Sequence, residues 1–353
     1  MNQAWITHLG YAMPGPSVAQ QDFATWMEPR LRPGTSVERW RRFNARCGVA
    51  FRHSVLDVFG AEGEAFWPLG GAGAPGTERR SQLFAERALP LALAAVQQAV
   101  PGELPAITHV ITTTCTGAVA PGLDLQLIHA LRLPGSVQRL AIGFMGCYAA
   151  VQALRVARDA CRADPGARVL VVCCELSSLH LQAGPADDAL LGACLFGDGA
   201  SAAIIQAEPL PGGVNLRIVA DRCAIIPDSA AHMSWFAGDQ GFVLGLSPAI
   251  TGALGHDIAP VVAALLAGRD PAALRWVVHP GGPRILEAVE RVLALDATRL
   301  ASSRAALRLA GNRSSGTVLA ILREELATDW SGAIALMAFG PGLTVESMLL
   351  ERA

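Results

Sequence analysis

The chain has 353 residues, a length that accommodates two domains or one large one. Its 28 Lys+Arg against 30 Asp+Glu give a formal net charge of −2, which argues against the broadly cationic surface of a protein whose main partner is nucleic acid. With 52% hydrophobic and only 16% charged residues it is no disordered chain, and its apolar content points to extensive burial, a subunit interface included.

The opening stretch MNQAWITHLGYAMPGP carries neither a basic region nor a long apolar core. No later stretch approaches the roughly 18 uninterrupted apolar residues of a membrane span, so a cytoplasmic protein is expected. The first 80 residues are rich in Gly, Pro, Trp and Arg and read as an irregular cover. A helical stretch over Ser81 to Val100 then leads to a β-branched run, Ile107 to Gly117. A helix near Leu123 to Leu131, the short strand RLAIGF, a helix from Cys147 to about Ala163 and the apolar strand ARVLVVCCE follow, and LFGDGASAAIIQA closes this half.

A second irregular segment, about 208 to 247, which with the first is a candidate wall of a substrate tunnel, precedes a repetition of the same order. A helical stretch over Ala249 to Ala267 leads to LRWVVHPGG, then a helix over Arg284 to Leu293, the loop LAGNRSSG, a helix from Thr317 to about Leu326, the strand GAIALMAF and the closing FGPGLTVESMLLE. Alternating strands and helices make an α/β fold, and the repeated order predicts two pseudo-symmetric halves, 1–207 and 208–353.

Three residues at matching positions carry chemistry. Cys147, in IGFMGCYAA, stands where a strand gives way to a helix, so the positive helix end should favour its thiolate and small neighbours clear space around the sulfur. His279 ends an apolar strand before a Pro-Gly-Gly turn; alone it reads as a hydrogen-bonded core residue, but paired with such a cysteine it is a general base. Asn312, alone an ordinary turn residue, can with the other two donate to a developing oxyanion. The eight cysteines show no CxxC pair and no zinc spacing, and most read as small buried apolar residues.

GFMGCYAA, CTGAVAPGLDLQLI, ARVLVVCCELSS, LFGDGASAAI, VVHPGGPRILEAVE, GNRSSGTVLAIL and FGPGLTVES, in this order, resemble the type III polyketide synthases, the chalcone and stilbene synthase-like group. The resemblance runs from about residue 5 to the end. It implies a thiolase-like αβαβα five-layer fold, a homodimer, acyl-CoA starter and malonyl-CoA as substrates, and neither metal nor other cofactor. By motif, Cys147 is the acyl-carrying nucleophile, His279 and Asn312 activate it and hold the malonyl thioester, and Phe196 stands where tunnel meets cavity. Arg46 and Arg52 fall at CoA-contacting positions, in a stretch that also holds Arg39, Arg41 and Arg42. The product implied is an alkylpyrone, resorcinol or similar ring.

The chain departs from the plant enzymes at four cavity positions. Leu244 replaces a tunnel phenylalanine, Cys115 a threonine, Ala120 a methionine that crosses the dimer, and His180 a small hydroxyl residue expected to line the pocket. Leu244, Ala120 and Cys115 together suggest an aliphatic acyl starter. The rivals are a ketoacyl synthase III-like enzyme served by acyl carrier protein, against which HPGG and AFGPG speak, and a non-catalytic thiolase-fold binding protein. A thiolase would bring a second cysteine near FGPG, and an HMG-CoA synthase a glutamate before its cysteine; neither is there.

Overall fold

The structure, a computed structural model, describes residues 3–247, 249–328 and 330–352, side chains at 256 and 257 excepted. In chain order its strands and helices are β1 (Trp5–Ala12), β2 (Val18–Ala19), α1 (Gln20–Met27), α2 (Val37–Arg46), β3 (Phe51–Arg52), α3 (Ala61–Phe66), α4 (Thr77–Ala99), β4 (His109–Thr114), α5 (Leu123–Ala130), β5 (Gln138–Gly143), α6 (Ala149–Ala163), β6 (Arg168–Leu176), α7 (Asp187–Leu195) and β7 (Asp198–Gln206). The second half continues with β8 (Leu216–Ile225), β9 (Met233–Gly238), β10 (Gly241–Leu246), α8 (Ile250–Leu266), β11 (Arg275–Val278), α9 (Pro283–Leu293), α10 (Ala301–Ala310), α11 (Thr317–Glu325), β12 (Gly332–Gly340) and β13 (Thr344–Arg352).

Nine strands form one continuous sheet in the order β11-β12-β13-β8-β1-β7-β6-β4-β5. Counting β1, β4, β5, β6, β7 as strands one to five of the first half, their spatial order is 3-2-4-5-1. Strands β8, β11, β12, β13 of the second half read 2-4-5-1 on the same scheme, with parallel and antiparallel neighbours in matching places. The duplication read from the element order is therefore physical, with the third strand of the second half replaced by the Asn312 segment. The halves meet where β1 pairs β8 over only two residues, Trp5 with Arg217 and Ile6 with Leu216.

The layers follow from which faces are apolar. Helix α6 buries Val151, Leu154, Ala157 and Cys161 at helical spacing, and α11 buries Val318, Leu319, Ile321 and Leu322. Both pack in one core with Val169 and Val171 of β6 and with Leu336 of β12 and Met348 of β13, so these two helices are the middle layer between the half-sheets. Helix α4 covers the outer face of β6 and β7, and α8 with α9 covers the outer face of the second half, which completes αβαβα. Strand β6 is buried along eight of its nine residues, as a β-branched run flanked by layers on both faces must be.

The two segments expected to be irregular are not. The first contains β1, a full member of the sheet, and α1 to α3; the second contains β8 and the β9–β10 hairpin. Helix α10 was likewise not anticipated before the Asn312 loop. No helix among the described residues is long and apolar enough to cross a membrane.

Candidate active site

Cys147, His279 and Asn312 line one cavity of about 750 Å³, within the range of small-molecule sites, about 300–1,000 Å³. Each comes from a different element. Cys147 lies in the turn between β5 and α6, two residues before the first helical residue, with Tyr148 as the capping position. The turn is held by close passage of the FGPG loop: a Cβ at Gly146, whose φ is +84°, would fall 2.5 Å from Pro341 Cδ, so only glycine fits. Tyr148 donates to the Pro341 carbonyl at 3.3 Å. The GFMGCY and FGPG motifs are thus two sides of one contact.

His279 directly follows β11, and its N–H continues the ladder to the Met337 carbonyl at 2.8 Å. Its imidazole is buried, and among the described residues neither ring nitrogen has a protein partner. Asn312 follows α10 through Gly311 and bridges the segment at Phe196: its N–H donates to the Leu195 carbonyl at 2.8 Å, and Gly197 N–H donates to the Asn312 carbonyl at 3.0 Å. The Asn312 Oδ1 accepts from Ser314 N–H at 2.8 Å, which turns the amide so that Nδ2 faces Cys147 Sγ, 4.0 Å away.

The electrostatics correct one expectation. Burial pushes the Cys147 thiol up to about 12, the Glu175 charge adds to this, and hydrogen bonding from Ser314 and Asn312 offsets only part of it. Burial, aided by the Arg313 cation, pushes His279 down to about 3. The helix end does not by itself yield a standing thiolate, because Cys147 is two residues outside α6 and desolvation dominates. Each charge alone is disfavoured in this surrounding.

Four of the other expected residues line the cavity: Phe196, Leu244, Cys115 and Arg46. Cys115 Sγ accepts from Gly146 N–H at 3.0 Å, and burial and the neighbouring Glu175 push its thiol up. Three do not. His180 sits behind the wall: its Nε2 bonds the Thr116 carbonyl at 2.8 Å, its Nδ1 accepts from Phe242 N–H at 3.0 Å, and its ring stacks on Phe242 at 4.1 Å, so both nitrogens are satisfied in the neutral form. Ala120 is exposed on the loop after β4 and outside this chain's cavity. Arg52 points inward because alternation along β3 leaves Phe51 outside; it donates to the Ala193 and Cys194 carbonyls and Gln20 and lies over Phe23.

The cavity also shows what sequence reasoning missed. Trp235, from β9, forms a wall beside Phe196, ring centroids 6.4 Å apart, and its indole N–H donates to the Cys115 carbonyl at 2.6 Å. An alternating run around the Asp239-Gln240-Gly241 turn is the hairpin signal that would have found it. Glu175, inside the quoted CCELSS, is a fully buried carboxylate accepting from Ser315, Thr116 and Cys115 N–H, with burial raising its pKa. At the rim, Arg42, Arg46 and Arg284 have no ion pair among the described residues, whereas Arg39 is held by Asp187 and Arg41 by Glu28.

Residues 2–209 match the family model for chalcone and stilbene synthases, N-terminal domain, and residues 217–353 match the C-terminal domain. The chain belongs to the chalcone and stilbene synthase family. It is also similar to the C-terminal type III polyketide synthase domain of Steely1, a type I/III hybrid from Dictyostelium, with a TM-score of 0.93 and 25% identity over 99% of each chain. PKS-I from the brown alga Ectocarpus siliculosus matches with a TM-score of 0.91 and 26% identity over 100% of this chain and 99% of that one. Type III polyketide synthases are condensing acyltransferases that use acyl-CoA and malonyl-CoA.

Proposed function

We propose that this type III polyketide synthase loads an aliphatic acyl-CoA starter on Cys147, extends it with malonyl-CoA and cyclises the chain to an alkylpyrone, resorcinol or related ring. The observation that carries the reading is the convergence of Cys147, an unpartnered His279 and an oriented Asn312 amide on one largely apolar cavity.

In loading, the Cys147 proton passes to neutral His279 as Sγ attacks the starter carbonyl. The C–S bond to CoA breaks and the departing CoA thiolate takes the proton from His279. When malonyl-CoA enters, its C–C bond to the carboxylate breaks and carbon dioxide leaves. The enolate oxygen that forms accepts from Asn312 Nδ2 and from the His279 N–H, both ready-made donors in a site screened from water. The enolate carbon attacks the acyl thioester, the bond to Sγ breaks, and transfer of the longer chain back to Cys147 allows another round. The scheme uses only thioester substrates and this chain's own side chains. Arg42, Arg46 and Arg284 at the rim suit the CoA phosphates.

The second copy in a homodimer would cover β5, an edge strand with five of six residues exposed, Leu140 among them, and the exposed Phe144 that follows it. The deciding experiment incubates the protein with labelled malonyl-CoA and acyl-CoAs from short to long, without and with acyl carrier protein. Pyrone or resorcinol products without carrier protein are expected. No product across the panel, or product only with carrier protein, overturns the reading.

A further inference from the structure

Asp198, the first residue of β7, is a fully buried carboxylate that the condensation chemistry above does not use. Its Oδ2 accepts from Val55 N–H at 2.8 Å and from the Ser178 hydroxyl at 2.6 Å, and its Oδ1 accepts from Ser178 N–H at 2.8 Å. The hydroxyl is committed to this direction, because Ser54 O–H donates to Ser178 Oγ at 3.0 Å and Leu56 N–H donates to Ser54 Oγ at 3.1 Å. All three groups bonded to the Asp198 side chain therefore donate. That is the pattern an ionised carboxylate, an acceptor only, satisfies.

The donors come from two separate segments. Val55 follows β3 by three residues, and the His53 carbonyl of the same stretch accepts from Asp198 N–H at 2.9 Å, so main chain and side chain of Asp198 clamp residues 53–55 together. Ser178 lies in the turn Ser177–His180, where Ser177 lines the cavity and His180 backs the Trp235 wall. The backbone just before Asp198 holds the Asn312 loop: Phe196 lines the cavity, and Gly197 N–H donates to the Asn312 carbonyl at 3.0 Å. Gly197 is wedged, since a Cβ there would fall 2.5 Å from the Ala310 carbonyl oxygen and 3.6 Å from His53 N. A shift of residues 53–55 thus reaches the Asn312 amide through one tight glycine.

Protonation undoes the clamp. A carboxylic acid would bring its proton toward groups that are themselves donors, and could place it only by turning the Ser178 hydroxyl, and Ser54 with it, the other way round. Burial pushes the Asp198 carboxyl up to about 6, against the hydrogen bonds from Ser178 and Val55 and the charge of Arg52. Arg52, on β3, and the Cys174 thiol, on β6, are the charged and titratable groups that bear on it among the described residues. The two reacting groups, His279 and Cys147, titrate far from this value.

We propose that Asp198, as its carboxylate, is a positioning residue for extension: it clamps residues 53–55 and the Ser178 turn onto the backbone at 196–197 and so keeps the Asn312 amide aimed at the enolate oxygen, a role that rests on the extension chemistry proposed above.

The test reads the enolate step without a starter. With malonyl-CoA alone, the C–C bond to the carboxylate breaks, carbon dioxide leaves and a proton from solvent completes acetyl-CoA, so release of labelled carbon dioxide reports stabilisation of the enolate. Asp198→Asn cannot ionise. At pH 8 it should slow this release about 10- to 100-fold, and the ratio of native to variant rates should fall toward one as pH drops from 8 to 5. Ser178→Ala removes one donor, which makes the carboxylate harder to keep, and should move the acid limb of the profile up by about one pH unit. A native-to-variant ratio constant across that range, the mark of a merely structural loss, or an acid limb unmoved in Ser178→Ala, overturns the proposal. Should Asp198→Asn not fold, the Ser178→Ala profile decides it. Carbon dioxide release by the native protein without any ring product overturns the reading of the product and leaves this role standing; no release at all overturns both.

Discussion

Replacing Gly311 by alanine tests whether the Asn312 amide is aimed by its backbone bridge to the Phe196 segment. Gly311 has φ 71° and ψ −175°, a region open in practice to glycine alone, and placing another residue there costs about 1–3 kcal/mol. An added Cβ would also fall 2.8 Å from the Leu195 carbonyl oxygen, the atom that accepts the Asn312 N–H. Opening the bridge loses two buried backbone hydrogen bonds at about 1 kcal/mol each, so the whole change costs about 3–5 kcal/mol. For a chain of this size that is a fall in Tm of roughly 4–7 °C. Displacement of Asn312 Nδ2 removes a donor to the enolate, a loss of about 10²–10³ in kcat. Thermal melting and single-round condensation measure the two effects separately. Gly135→Ala is the control, since nothing lies within 4 Å of its would-be Cβ. A Gly311→Ala enzyme with a lower Tm but full condensation activity would refute the idea that the bridge aims the amide; an unchanged Tm would refute the strain argument.

Four further outcomes are expected. Cys147→Ala should abolish the acyl-enzyme adduct in intact mass spectra; persistence of the adduct would identify another nucleophile. His279→Gln should cut condensation severely while leaving subunit association, read by sedimentation, unchanged. Leu244→Phe should shift preference to shorter starters, because Leu244 Cδ2 already lies 3.3 Å from a Cβ built on Gly192 and a ring must turn into the cavity; an unaltered starter profile counts against a gating role. His180 is held near pKa 4 by burial, below its ordinary 6.5, so between these values the unfolded chain binds a proton that the folded one does not. Stability therefore rises with pH through that window and is lost as pH falls, by about 3 kcal/mol for this residue. His279 and other buried histidines act in the same direction, so the measurement is the difference between native and His180→Gln in Tm from pH 7 to pH 4; parallel curves would exclude the contribution.

What could be read from the residues depended on how local its cause was. The layered halves were legible because strands such as ARVLVVCCE and helices such as that after Cys147 carry their burial in their own spacing. Strand β1 was not, since WITHLGYA becomes a sheet member only through the long-range partners β7 and β8. The same division explains the arginines. Arg46 and Arg52 look alike in sequence, but a two-residue strand with Phe51 facing out turns Arg52 into the core, where carbonyls and the Phe23 ring replace water.

The chemistry of Cys147 is the clearest case of a local signal overruled by distant atoms. Its place before a helix argued for a lowered pKa, yet the sulfur is desolvated by residues far away in sequence, among them the Asn312 loop 165 positions on, and the buried Glu175 behind it opposes a negative charge. His279 is pressed toward neutrality by the same burial and by Arg313. Under the mechanism proposed above, such a site would hold its charges only in pairs: sulfur and imidazole would exchange a proton as an acyl carbonyl arrives, and the enolate oxygen would be met by N–H donors. Removing His279 therefore leaves the thiol without a proton acceptor and the enolate without one of its donors, so loading and extension should both fail in His279→Gln. Removing Asn312 should spare loading and impair extension. Acyl-enzyme formation at near-native rate in Asn312→Ala, with condensation reduced about 10²-fold or more, is the expected separation. Equal loss of both steps would mean that the amide positions Cys147 and is not reserved for the enolate.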